Sequence, residues 1–197
     1  MGSTLLCGKH SAQKVGYPKL LKKIGNLLKK HPKNAELMIW HAILTSTNAA
    51  YQGAFTALNS VNTAKKQLEL AIKTKPYALE GAAYVALGTL YHMLPGWPIS
   101  FGDEYKAEKL LKTALKINPQ GIDSNYFYAD YLLSQDDYIK ANQYFNRALN
   151  APTRPEQQFA DQQLKKEALS ALHLAKQRKL ESGKNKFFSL FTSASSN

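Results

Sequence analysis

The chain has 197 residues, 44% of them hydrophobic, and a formal net charge of +12. This length suits one domain with a real hydrophobic core, and the apolar content excludes wholesale disorder. The single cysteine, Cys7, excludes an intramolecular disulfide and a multi-cysteine metal site. No run of about 20 apolar residues is present that would cross a membrane.

The positive charge is concentrated at the two ends of the chain. Residues 1–33 contain eight lysines and no acidic residue, and residues 165–197 contain seven basic and two acidic residues. Because no nucleic-acid-binding motif accompanies these charges, we expect no nucleic-acid partner. The basic ends instead indicate solvated segments that keep the ends of the fold soluble. A weak, peripheral attraction to anionic lipid is the alternative.

The same composition suggests where the folded domain begins and ends. We expect a mobile N-terminal tail over residues 1–16, one helical domain over residues 17–181, and a disordered, basic, Phe-containing tail over residues 182–197. The first residues lack the charged region of a signal peptide. They also lack a usable lipoprotein cleavage site, because Leu6 precedes Cys7 where a small residue is required.

Apolar residues recur at three- and four-residue spacing along most of the chain, which predicts amphipathic helices. No segment shows the alternation of a strand flanked by turn residues. The pattern therefore predicts an all-α protein, with helices over residues 18–31, 34–55, 59–75, 79–93, 104–117, 123–133, 138–149 and 155–180.

A short internal repeat indicates how these helices are paired. An Ala-x3-Leu/Phe-x2-Ala pattern closed by a proline occurs three times, as Ala64-Leu68-Ala71-Pro76, Ala107-Leu111-Ala114-Pro119 and Ala141-Phe145-Ala148-Pro152. The step from Ala114 to Ala148 is 34 residues, which is the period of tetratricopeptide (TPR) repeats. We therefore predict a TPR-like helical-repeat solenoid of antiparallel helix pairs, in which neighbouring repeats bury each other's apolar faces.

The nine residues from Pro95 to Asp103, here called the proline loop, interrupt this repeat. Their two prolines and two glycines cannot continue a helix. One interpretation is packing, in which the aromatic residues close over the helices and Asp103 caps the next helix. The other makes Trp97 and Phe101 one wall of a ligand cavity opposite residues of the preceding helix.

The candidate binding residues lie in this loop, in the helix before it and in the concave groove of the repeat. The groove is aromatic and largely uncharged, which suits an apolar ligand or a partner's helix. No catalytic motif or metal-ligand spacing is present, so we predict a non-enzymatic protein without cofactor or metal. The predicted residues are Tyr84, Thr89, Tyr91, His92, Pro95, Gly96, Trp97, Pro98, Phe101, Asp103, Tyr126 and Asp130.

The segment LGTLYHMLPGWP (residues 87–98) resembles the T-component family of tripartite ATP-independent periplasmic (TRAP) transporters. The likeness continues through FGD (101–103), AEKLL (107–111), NPQGID (118–123) and NYFYA (125–129). It spans most of residues 18–175 and is most specific over 87–130. The basic ends and the Phe-rich tail depart from the family's pattern.

This resemblance implies a TPR-like periplasmic lipoprotein that forms homotrimers. It also implies a partner, the solute-binding P-component, and the passage of an apolar small ligand in a solute uptake system. From the residues alone, the alternative is a generic TPR scaffold that binds a peptide or a partner helix in its concave groove. An enzyme accessory domain is a third class.

Overall fold

The computed structural model describes the backbone of residues 3–193 and the side chains of residues 16–178. Residues 3–193 contain no strand, and the all-α prediction is confirmed. Short 3₁₀ turns at Ala78–Gly81 and Pro155–Gln157 precede two of the helices. The helices are α1 (Ser3–Lys30), α2 (Ala35–Ala49), α3 (Ala54–Thr74), α4 (Ala82–Met93), α5 (Glu104–Ile117), α6 (Ile122–Ser134), α7 (Tyr138–Asn150) and α8 (Gln158–Ser193).

The chain divides into two compact units, one ending at Leu110 and the other beginning at Leu111. In the first unit, α2 contacts α1 and α3, and α3 contacts α4. In the second unit, α7 contacts both α6 and α8. The pairs α2–α3 and α6–α7 are joined by short turns, so their helices run antiparallel. Among the described residues, no helix is both long and apolar enough to cross a membrane.

The repeated alanine, leucine and phenylalanine positions form a buried row on each of α3, α5 and α7. All nine side chains of the three repeat copies are at most 1% exposed. The prolines Pro76, Pro119 and Pro152 each stand two residues after the last residue of these helices. Small buried residues allow helices to approach closely, and a proline stops each helix because it cannot continue the hydrogen-bond ladder. The predicted helical repeat is confirmed.

Two further helices carry the same buried pattern, and neither was predicted from the sequence. In α8 the row consists of Ala168, Leu172 and Ala175, and in α2 it consists of Ala35, Ile39 and Ala42; all six are at most 5% exposed. The α8 copy lacks the closing proline, and the α2 copy has isoleucine at the central position.

Helix α1 begins at Ser3, whereas the sequence predicted a start at residue 18. Pro18 lies inside the helix, which tolerates the loss of one backbone hydrogen bond. The helical backbone of α1 and α8 thus continues past both predicted domain limits, at residues 16 and 182. The side chains of residues 1–15 and 179–197 lie outside the described residues, so the mobility of the two tails stays a prediction.

The helix predicted over residues 34–55 is in fact the whole of α2 and the start of α3. Helix α2 ends at Ala49, and Gly53 precedes the first residue of α3. The N–H groups of Tyr51 and Gln52 donate to the carbonyls three residues earlier, at 3.1 and 3.0 Å, which makes a tight turn. Apolar residues keep a helical spacing across this turn, which hid it in the sequence.

Helix α4 begins at Ala82, three residues later than predicted. The backbone of Leu79, Glu80 and Gly81 is left-handed, with φ of 47°, 54° and 85°. Glycine adopts this conformation freely, but leucine and glutamate do so at a cost that surrounding contacts must offset. Nothing in the two side chains indicates this turn in advance.

Candidate functional site

The proline loop is closed at its base by backbone hydrogen bonds. The N–H of Asp103 donates to the carbonyl of Tyr91 at 2.9 Å, and the N–H of Gly102 donates to the carbonyl of Pro95 at 3.0 Å. Nearer the tip, the N–H groups of Ile99 and Ser100 both donate to the carbonyl of Gly96, at 3.1 and 3.2 Å. The loop is therefore an ordered element with a defined backbone.

Gly102 makes this closure sterically possible. A Cβ atom at this position would lie 1.9 Å from the carbonyl oxygen of Leu94. Glycine lacks that atom, so the two arms of the loop approach each other directly. At Gly96 the nearest atom to an added Cβ would be 3.4 Å away, which is ordinary contact. Of these two glycines, Gly102 is the one that the loop geometry requires.

An aromatic and cationic cluster supports the base of the loop. The ring of Phe101 meets the ring of Tyr91 edge to face, with centroids 5.3 Å apart. The Nζ of Lys65, from α3, lies 5.0 Å from the Phe101 ring and 5.7 Å from the Tyr91 ring. The Nζ of Lys106 lies 5.5 Å from the Tyr91 ring. Cations over aromatic faces are attracted by the ring quadrupole, so these contacts tie the loop to α3 and α4.

Asp103 caps α5, as the packing interpretation of the loop expected. Its Oδ1 accepts from the backbone N–H of Lys106 at 2.9 Å, and its Oδ2 lies 3.1 Å from the Nζ of the same lysine. These hydrogen bonds, first from the backbone and then from the side chain of Lys106, lower the pKa of Asp103. The neighbouring His92 Nδ1 lies 3.1 Å from an oxygen of Glu104.

The tip of the loop exposes large apolar side chains. Trp97 is 90% exposed and Ile99 is 67% exposed, and on the two flanks Met93 and Tyr105 are 72% and 75% exposed. The packing interpretation therefore holds for Phe101, which contacts Tyr91, and is wrong for Trp97, whose side chain lies in solvent. No side chain among residues 16–178 encloses Trp97.

The structure brings part of the predicted site together around the loop. Tyr91 is buried beneath the loop, and His92 and Asp103 lie at its base. Tyr84 and Thr89 lie earlier on α4, where the Thr89 hydroxyl donates to the Val85 carbonyl of its own helix at 2.9 Å. Pro95, Gly96 and Pro98 are exposed loop residues.

The other two predicted residues, Tyr126 and Asp130, belong to the second unit. The Tyr126 hydroxyl lies 3.4 Å from Oε2 of Glu167, and its ring packs near Phe145 at 5.8 Å between centroids. Burial, followed by the negative charges of Asp130 and Glu167, raises the pKa of Tyr126. Tyr126 is therefore a neutral phenol, and its hydroxyl donates to the α8 carboxylate.

A partly buried ion-pair group in the second unit was not predicted from the sequence. Arg154 donates through Nη1 and Nη2 to the two oxygens of Asp123, at 2.9 and 3.1 Å. Its Nη2 and backbone N–H also donate to Asp161, at 2.5 and 2.6 Å, and Asp161 is fully buried. This group joins the start of α6, the α7–α8 connection and the start of α8. Arg154 is the one basic residue between α7 and α8, a weak signal that could have indicated it.

Among the side chains that the structure describes, no group of three or more His, Cys, Asp or Glu residues could hold a metal ion.

Comparison with known proteins identifies the fold. The chain is similar to the crystal structure of the yeast Tom70, with a TM-score of 0.57 and 21% sequence identity. The alignment covers 88% of this chain and 32% of that one, so this chain spans about a third of the Tom70 chain. No protein-family model and no curated protein matches the sequence. Together with the buried repeat rows, this likeness assigns an all-α helical-repeat fold of the TPR type.

Proposed function

We propose that this chain is a non-enzymatic protein-interaction scaffold, and that it binds a partner protein through the tip of the proline loop. The observation that carries the proposal is the exposure of Trp97 and Ile99 on a loop whose base is fixed by hydrogen bonds and ring contacts. Exposed apolar patches on soluble proteins commonly mark interaction sites. Tryptophan and tyrosine dominate binding energy at interfaces.

The ordered backbone of the loop favours binding. A loop that is already held in one conformation loses less conformational entropy when a partner docks, so more of the contact energy contributes to affinity. The exposed side chains at the tip and flanks suit an apolar groove, or the apolar face of an amphipathic helix, on the partner. No charged residue lies between Leu94 and Phe101, so the tip of the loop itself offers no charge to an acidic or basic peptide.

The test replaces Trp97 with a photoreactive phenylalanine analogue, in the full chain within its native host. We expect one dominant adduct with a specific protein, because the side chain at 97 projects into solvent. Phe55 is 81% exposed on α3, and the same analogue at that position is the matched control. Equal adduct patterns from positions 97 and 55 would contradict the proposal.

Stability measurements separate binding from packing. Since Trp97 is 90% exposed, Trp97→Ala should change the free energy of unfolding by less than about 0.5 kcal/mol. Phe101→Ala removes the contact with Tyr91 and should cost more. If Trp97→Ala unfolded the protein, the tip would be part of the core and the docking proposal would fail.

A more specific form of the proposal assigns the chain as the T-component of a TRAP-type solute uptake system in the periplasm. The support is the resemblance over residues 87–130 and the helical-repeat fold. Its expected partner is the solute-binding P-component, and an apolar small ligand is a further candidate. Fluorescence anisotropy with the purified P-component of the same source should show binding that Trp97→Ala weakens at least tenfold. No binding would overturn this assignment and leave the photocrosslinking test of the loop unaffected.

A further inference from the structure

Helix α1 presents a one-sided basic surface. Its half-buried residues Leu21, Ile24 and Leu28 face the fold, where α1 contacts α2. The opposite side carries what we call the lysine face, which consists of exposed Lys19, Lys22, Lys23, Lys29 and Lys30 with the partly exposed Leu20 and Leu27.

The lysines of this face lie apart from the acidic side chains that the structure describes. None of the five forms an ion pair with a residue whose side chain the structure describes, and residues 1–33 contain no acidic residue. A surface that only needs solubility usually mixes both signs of charge. Elsewhere in this chain lysines are paired in this way, as Lys75 with Glu36 and Lys140 with Asp137.

The two leucines give the lysine face an apolar edge. An α-helix turns by about 100° per residue, which places Lys19, Lys23 and Lys30 along the centre of the lysine face. Leu20 and Leu27 lie together at one border of this face. Their exposed fractions are 48% and 39%. A helix with lysines over its polar face and leucines at the border suits the plane of a lipid surface, where the leucines enter the headgroup boundary.

We infer that the lysine face of α1 binds an anionic lipid bilayer and lays the first unit against the membrane surface. Lysines near such a surface are attracted by its negative potential, and the attraction weakens with salt. A nucleic acid fits less well, because residues 1–33 contain no arginine and the described face has no aromatic ring on which bases would stack.

The test measures binding of the full chain to vesicles of phosphatidylserine and phosphatidylcholine, against vesicles of phosphatidylcholine alone. We expect binding to the anionic vesicles that weakens as salt is raised. The triple variant Lys19→Gln, Lys23→Gln and Lys30→Gln should lower the partition coefficient about 100-fold, at about fivefold per lysine. The variant Leu20→Gln with Leu27→Gln should lower it about tenfold with little change in the salt dependence.

The matched control removes the same charge from other exposed positions, by Lys66→Gln, Lys73→Gln and Lys116→Gln. This variant should bind the anionic vesicles nearly as the original chain does. Equal losses in the two triple variants, or no preference for anionic vesicles, would overturn the inference.

Binding of duplex DNA tests the alternative that the lysine face is a nucleic-acid site. If DNA bound more tightly than the anionic vesicles, and lost affinity in the α1 triple variant, the face would be a nucleic-acid site and the lipid inference would be wrong. The Trp97→Ala variant should bind vesicles normally, so failure here is distinguishable from failure of the proposed loop function.

Discussion

At the scale of single residues, Arg154 has the largest set of charge-assisted hydrogen bonds in the described second unit. It donates to two carboxylates that come from different helices, and one of them, Asp161, is fully buried. A buried carboxylate without a partner is very costly, since it has lost its hydration. The position of the α7–α8 connection therefore depends on this arginine.

Removal of the arginine should show this dependence. Arg154→Ala should lower the free energy of unfolding by about 3 kcal/mol, because it removes the guanidinium from the buried Asp161 carboxylate and leaves it only the backbone N–H of residue 154. The matched control is Arg147→Ala on α7, which loses a cation–π contact 4.7 Å from the centroid of Tyr144 and should cost less than about 1 kcal/mol. Urea denaturation measures both, and similar losses in the two variants would contradict the prediction.

The ion pair between Arg154 and Asp161 should make the stability of the protein depend on pH in the acidic range. Burial alone would raise the pKa of Asp161, but the hydrogen bonds from the Arg154 side chain and backbone outweigh it and lower the pKa below its ordinary 3.8. A carboxylate with a depressed folded-state pKa contributes stability above its unfolded pKa. That contribution is lost as the pH falls through the folded-state value.

Asp161→Asn should therefore be less stable at neutral pH and should lose less further stability below about pH 4. Chemical denaturation at a series of pH values checks this. The pKa values of the partly exposed Asp103 and Asp137 are also lowered, but both residues are present in the two proteins, so the difference between the curves isolates Asp161. Parallel curves would show that Asp161 is not the group responsible.

At the scale of elements, the rows of small residues decide how closely the helices pack. The alanines of these rows are buried on five helices, and on α3, α5, α7 and α8 each of them is 0% exposed. Close-packed interiors have no room for additional side-chain atoms. A larger side chain in such a row must push two helices apart or adopt a strained rotamer.

The α8 copy, which the sequence analysis missed, offers the sharper test. Ala168→Leu should destabilise the protein by about 1–3 kcal/mol, because the added atoms have no space in the row. Ser170→Leu, two residues along the same helix at an exposed position, should change stability by less than about 0.5 kcal/mol. Thermal or urea unfolding compares the two. If Ala168→Leu were tolerated as well as Ser170→Leu, α8 would not pack through this row.

At the scale of the whole molecule, assembly separates the proposed functions. The T-component assignment includes a homotrimer, and the exposed loop residues are available for contact with other chains. Sedimentation of the 22.0 kDa chain across a wide micromolar range should then show a species of three chains. A strict monomer would contradict the homotrimer and favour a scaffold that binds a different protein. The Trp97→Ala variant shows whether any self-association uses the loop.

Much of the fold could be predicted from the sequence, because it depends on local spacing. The Ala-x3-Leu/Phe-x2-Ala rows and their closing prolines are set by the geometry of one helix, and all three copies are buried as expected. The predicted helix end at residue 55 and helix start at residue 79 were wrong, because the structure places these boundaries at Ala49 and Ala82. A turn that keeps helical spacing of apolar residues, or that uses left-handed Leu79 and Glu80, leaves no local signal.

For the candidate site too, some features could be predicted from the sequence and others could not. The sequence by itself determined that residues 95–103 break the helix, and it offered Asp103 as a cap for α5; both follow from the backbone chemistry of proline, glycine and aspartate. Only the tertiary structure decided that Phe101 packs on Tyr91 under Lys65 while Trp97 remains in solvent. It also decided that Arg154 meets both Asp123 and Asp161. These contacts join residues from different elements, and their exposure and charge pairing depend on which surfaces the folded helices bring together.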